Sequence, residues 1–171
     1  TLGADEKHVV YFTGSEVVCL DRTSGKVLWN VEPGKTRTIR IGTHTAPNLV
    51  LHEEVLLFSN GPGEIVSLSL KDGSLLWENT VGNSGHQSTY DLLVADGLVW
   101  GTKFGSWRTL TGRDPVTGED KKVFPPGNSD WFHHRCHRGR ATDNYLMMSL
   151  TGIEYIDLET GTWQPNPWVR G

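Results

Sequence analysis

Cysteine is scarce in this chain. Cys19 and Cys136 are the only two in 171 residues, too few for a disulfide framework. They allow one bridge or none, which leaves the redox compartment open. Long apolar runs are missing too. The longest resemble Val55-Leu56-Leu57-Phe58, far short of the ~20 residues a membrane-spanning helix needs. There is no excess of positive charge: 16 Lys and Arg stand against 20 Asp and Glu, a formal net charge of −4. A nucleic-acid binder grips phosphates with a clear basic surplus, so that class is set aside. The opening Thr1-Leu2-Gly3-Ala4-Asp5-Glu6-Lys7 has no basic start and leads into no apolar core, so it is not a secretory signal, and it carries no initiator Met. Helical periodicity is hard to find anywhere.

What is present is aromatic bulk and turns. Seven Trp, five Phe and four Tyr supply core material to a chain that is only 36% hydrophobic. Twenty glycines and eight prolines are spread evenly, which suggests frequent turns. Between them lie short β-branched or aromatic runs, such as Val17-Val18-Cys19-Leu20, Ile65-Val66-Ser67-Leu68 and Tyr145-Leu146-Met147-Met148. This is the pattern of an all-β chain.

One motif returns four times. It reads Cys19-Leu-Asp21-Arg-Thr-Ser-Gly25-Lys-Val-Leu-Trp29, then Ser67-Leu-Ser-Leu-Lys-Asp-Gly73-Ser-Leu-Leu-Trp77. It continues as Gly112-Arg-Asp114-Pro-Val-Thr-Gly118-Glu-Asp-Lys-Lys122 and Tyr155-Ile-Asp157-Leu-Glu-Thr-Gly161-Thr-Trp163. The anchoring glycines are 48, 45 and 43 residues apart, the length of a four-stranded propeller blade. Each motif is a hairpin turn: Gly takes the positive φ, and Asp or Thr bonds local amides. The Trp that follows offers a flat surface to the next blade. Lys122 and Pro165 stand where the third and fourth copies should carry that Trp, and Trp163 comes two residues early. The outer contacts of those blades are therefore in doubt.

The blades fall approximately at 1–34 (partial), 35–82, 83–127 and 128–171. Blade one has strands near 8–13, 16–21 and 26–31. Blade two has strands near 45–51, 54–59, 64–69 and 74–78. Blade three uses 88–94, 98–103, 107–113 and 119–124. Blade four uses 136–142, 145–150, 153–158 and a short piece at 162–164.

Three histidines recur. His44, His86 and His134 each precede the second strand of their blade by a similar distance, near one pole of the axis. Imidazoles at a channel mouth suit a transition metal, an anionic ligand or a partner. The plainer reading, which weighs more, is a repeated strand entry where His bonds backbone. His133, His134, Cys136 and His137 are locally dense, but alternation along an extended chain splits them between two faces. No zinc spacing is present. Arg135, Arg138 and Arg140 read more simply as partners of neighbouring carboxylates.

The motif Cys19-x-Asp21-x-x-x-Gly25-x-x-x-Trp29 resembles the tryptophan-docking repeat of the PQQ-type β-propeller family, a WD40-like architecture that includes the quinoprotein alcohol dehydrogenases of bacteria. Non-catalytic scaffolds of outer-membrane protein assembly belong to it as well. The resemblance covers essentially the whole chain. It implies seven or eight blades, so four blades read as part of a longer propeller. It also implies a periplasmic or envelope location. Enzymes of the family bind PQQ with a vicinal Cys pair, a Trp floor and a Ca²⁺ ion held by Glu, Asn and Asp. Cys19 and Cys136 are far apart, and no such calcium set can be placed. The reading is therefore a non-catalytic scaffold or platform for a protein or small-molecule ligand, with no cofactor assigned. The alternatives are part of a PQQ-dependent dehydrogenase or an accessory domain to an enzyme elsewhere in a longer chain.

Overall fold

The structure is a computed structural model that describes residues 1–33, 47–59, 64–80, 92–103, 106–124, 139–148 and 153–166. Sixteen strands lie within these residues, in four sheets of four. The first sheet holds β1 (Leu2–Ala4), β2 (His8–Phe12), β3 (Val17–Asp21) and β4 (Val27–Val31). The second holds β5 (Asn48–His52), β6 (Val55–Ser59), β7 (Glu64–Ser69) and β8 (Leu75–Thr80). The third holds β9 (Leu93–Ala95), β10 (Leu98–Lys103), β11 (Ser106–Arg113) and β12 (Asp120–Phe124). The fourth holds β13 (Arg140–Ala141), β14 (Tyr145–Met148), β15 (Ile153–Asp157) and β16 (Trp163–Asn166).

Each sheet is a meander in which every strand pairs antiparallel with the next. The first strands sit side by side, β1 by β5, β5 by β9 and β9 by β13. The chain is a segment of a β-propeller. Blade one differs from the sequence reading, because Leu2–Ala4 adds a fourth strand to it. Three residues are too few to show alternation, so periodicity missed it. The last strand of blade four runs on to Asn166 through Pro165. Proline is tolerated there because β16 is an edge strand.

The core lies in the seams between sheets. Val10, Val17, Cys19 and Trp29 of the first sheet pack on Leu56, Phe58, Leu68 and Leu70 of the second. Val55, Leu57 and Ile65 of the second pack on Leu92 and Val99 of the third. Trp100, Leu110 and Phe124 of the third pack on Leu146, Ile156 and Leu158 of the fourth. A strand shows alternate residues to its two faces, so both faces of a middle sheet read as apolar. That is why Val55–Ser59 is buried throughout.

Candidate functional site

The turn motif has the same geometry four times. Gly25, Gly73, Gly118 and Gly161 lie at φ of 68, 75, 73 and 71°, the left-handed region that side chains disfavour. Each glycine N–H donates to the carbonyl four residues back: Asp21, Ser69, Asp114 and Asp157, at 2.8 to 2.9 Å. The aspartates cap the same turns. Asp21 Oδ1 accepts from the Ser24 N–H and hydroxyl at 2.7 Å. Asp114 Oδ1 accepts from the amides of Val116 and Thr117 at 2.8 and 2.9 Å. Asp157 Oδ1 accepts from the amides of Glu159 and Thr160 and from the Thr160 hydroxyl, at 2.8 to 3.0 Å. In the second copy the roles move. Ser69 takes the first position, and Asp72 accepts from the Ser74 amide and hydroxyl. Bonds donated to the ionised form hold all four carboxyls below their ordinary range: Ser24 to Asp21, Ser74 to Asp72, Thr117 and Val116 to Asp114, Thr160 to Asp157.

The turns at Gly73, Gly118 and Gly161 each receive the preceding blade. The Trp29 ring lies on Gly73, where a Cβ would come within 2.7 Å of the ring, and its Nε1–H donates to the Leu70 carbonyl at 2.8 Å. Trp77 lies on Gly118 in the same way and donates to the Pro115 carbonyl at 2.9 Å. The Ser67 hydroxyl donates to that carbonyl too, at 2.7 Å. The third seam divides the task. Lys122 Nζ donates to the Leu158 carbonyl at 3.1 Å, and Phe124 covers Gly161, where a Cβ would sit 2.6 Å from the ring. Leu70, Pro115 and Leu158 are each three residues before the turn glycine, so Lys122 makes the bond that an indole makes elsewhere. Lys122 also pairs with Asp96 at 2.7 Å. Phe124 stacks on Trp100 with ring centroids 5.2 Å apart. Trp163 packs back toward blade three. Its Nε1–H is buried with no hydrogen-bond partner among the described residues.

The sequence reading missed the Lys122–Phe124 pair. Its signal was an amine at the docking position with a ring two residues later. His44, His86, His133, His134, Cys136 and His137 all lie outside the described residues. Two clefts open on the turn side. One, of about 210 Å³, lies among Asp5, His8, Leu51, Glu53 and Glu54, between blades one and two. The other, of about 430 Å³, lies beside Lys122, Asp96, Asp143, Tyr145 and Glu159, between blades three and four. Among the described residues no three His, Cys, Asp or Glu side chains converge to hold a metal ion. Likewise, no helix there is long and apolar enough to cross a membrane.

A family model described as outer membrane protein assembly factor BamB matches residues 2–123. The chain belongs to this family of PQQ-like propellers. BamB from Moraxella catarrhalis superposes with a TM-score of 0.63 at 16% identity, covering 95% of this chain and 47% of that one. Quinohemoprotein alcohol dehydrogenase from Comamonas testosteroni gives 0.64 at 14% identity, covering 96% and 34%. The WD40 domain of Neurospora crassa Pan2 gives 0.58 at 13% identity, covering 96% and 50%. The chain thus spans half or less of each, and these likenesses show the fold. A comparison with curated proteins finds no match.

The vicinal cysteine pair that the resemblance implies for PQQ binding is not present among the described residues. Cys19 is a free, buried thiol flanked by Val18 and Leu20, so it forms no vicinal pair. Burial, helped by the Asp5 charge, pushes its pKa up to about 11, which leaves it an inert thiol. The recurring aspartates already accept bonds from their own turns.

Proposed function

We propose that this propeller segment is a non-catalytic scaffold that presents a face to a protein or small-molecule ligand in the cell envelope. One observation carries the reading: the side chains that recur from blade to blade make turns and seams. The motif aspartates cap their own turns, and the indoles of Trp29 and Trp77 tie blade one to two and two to three. Repetition of this kind builds stiffness and leaves the connecting segments to vary, which suits a binding platform. The family description as an assembly factor supports the same reading. The proposed contact segments are Glu32–Arg40, with Lys35, Arg37 and Arg40, and the part of Lys121–Asp130 that follows β12.

Calorimetric titration of the intact protein with PQQ and Ca²⁺, beside dye-linked oxidation of alcohols and sugars, tests it. The expected result is no saturable binding and no turnover. Stoichiometric PQQ with turnover would replace the scaffold by a quinoprotein dehydrogenase. Elemental analysis of the same protein bears on His44, His86 and His134. On the scaffold reading they hold strand entries, so no stoichiometric transition metal is found. A metal lost from the triple alanine variant would make them ligands instead.

A further inference from the structure

The cleft between blades three and four, about 430 Å³, holds charge that the turns do not use. Asp96, Asp143, Asp157 and Glu159 line it against the one ammonium of Lys122. Asp157 is taken up by its own turn, and Asp96 by Lys122 at 2.7 Å. Asp143 and Glu159 are exposed, with no ion-pair partner among the described residues. Tyr145 completes the wall and leaves 39% of its surface open. The repeat does not call for that ring. Tyr145 pairs with Asp157 of the turn, as Val55 pairs with Ser69 and His8 with Asp21. In blade two the position is a buried aliphatic side chain, and in blade one it is His8, which lines the other cleft.

This chemistry selects an organic cation. The two clefts together hold eight of the 20 Asp and Glu side chains but only two of the 16 Lys and Arg. Among the described residues no three His, Cys, Asp or Glu side chains converge, so the charge is too spread for a metal ion. A guanidinium or ammonium can use a ring face and separate carboxylates at once. The larger cleft already takes one ammonium of its own chain: Lys122 bonds to Asp96 and to the Leu158 carbonyl. We propose that this cleft docks an arginine or lysine side chain of a protein partner, with the cation against the Tyr145 ring and paired to Asp143 and Glu159. The smaller cleft, about 210 Å³ among Asp5, Glu6, His8, Glu53 and Glu54, opens on the same side. Two acidic hollows on one face match a segment with spaced basic residues better than a free small cation. The inference rests on the platform reading and names the partner's chemistry.

The test titrates the intact natural protein into a labelled peptide with arginine at every third position, read by fluorescence anisotropy. The same peptide with citrulline at those positions keeps the shape and loses the charge. The expected result is saturable binding of the arginine peptide alone, weakened by added salt. Asp143→Asn, Glu159→Gln and Tyr145→Ala should each raise its Kd about fivefold, whereas Tyr145→Phe keeps the ring and the affinity. Glu78, exposed on the outer strand β8 and outside both clefts, gives the charge control. Equal weakening by Glu78→Gln and Glu159→Gln would overturn the proposal, because the peptide would then follow net charge. Binding of the citrulline peptide at equal affinity would overturn it too, as would an unchanged Kd in Tyr145→Ala. Absence of any arginine-peptide binding would overturn this inference and leave the platform reading in place, since that reading falls to PQQ binding with turnover.

Discussion

At the scale of single residues, the repeat itself identifies the misfits. Seven positions before the turn glycine stand Val18, Val66, Thr111 and Glu154, all buried. Thr111 is fully buried, and its hydroxyl has no hydrogen-bond partner among the described residues. An unmet buried hydroxyl costs about 1–3 kcal/mol. Thr111→Val restores the residue of the first two blades at nearly the same volume. It should raise stability by about 1 kcal/mol, read from the urea midpoint. The motif aspartates give a pH prediction. Their folded pKa values lie below the ordinary 3.8, so their contribution is complete above that value and fades as pH falls through it. The urea midpoint should therefore drop below about pH 4. Replacing Asp21, Asp114 and Asp157 by Asn keeps an acceptor but removes the titration, so the acid limb should flatten. An unchanged limb would assign acid sensitivity to other carboxylates.

At the scale of elements, the third seam differs in kind from the first two. Trp29 and Trp77 combine a flat ring and an N–H donor in one side chain. On β12 the ring is Phe124 and the donor is Lys122, two residues apart on one face. The Lys122 side chain is 36% exposed, so its ion pair with Asp96 is screened and contributes little. Lys122→Met keeps the stem and loses the bond to Leu158. It should cost about 1 kcal/mol, and the salt dependence of the parent should shrink in the variant. Phe124→Ala removes the ring from both Gly161 and Trp100 and should cost about 3–5 kcal/mol. If Lys122→Met costs as much as Phe124→Ala, the ammonium rather than the ring holds the seam. These elements also mark how far the sequence was legible. The hairpin turns were, because Gly25, Gly73, Gly118 and Gly161 meet a steric demand that only local sequence has to satisfy. The third seam was not. A docking motif read as Gly-x-x-x-Trp sees only a missing Trp, whereas the fold asks for a ring and a donor and accepts them from different residues. β1 escaped because a three-residue strand is specified by its partner β2, not by its own pattern. The histidine positions lie outside the described residues, so their role rests on the repeat spacing alone.

At the scale of the whole molecule, stability is a chain of nearest-neighbour seams. Among the described residues the seams are unequal. Nine buried residues form the cluster between blades one and two, five that between blades two and three, and seven that between blades three and four. The middle seam is also the polar one. Arg113 lies there at 5% exposure, on the face of Thr111 and Val99, held by Asp120 at 2.7 Å. A guanidinium stays buried only while its partner and its surroundings are in place, so it adds little cohesion of its own. Among the described residues, the Pro115 carbonyl accepts two bonds across this seam, from Trp77 and Ser67. Trp77 is thus the main tie across the seam with the fewest buried residues among those described. Trp29 is one of nine buried described residues across the seam between blades one and two. Trp77→Ala should uncouple the blade pairs, so that urea unfolding of the intact protein, followed by fluorescence and far-ultraviolet circular dichroism, gives two transitions that no longer coincide. Trp29→Ala should shift a single transition and leave the two probes superimposed. Coincident transitions in both variants would mean that the seams are equivalent and that the blades unfold as one body.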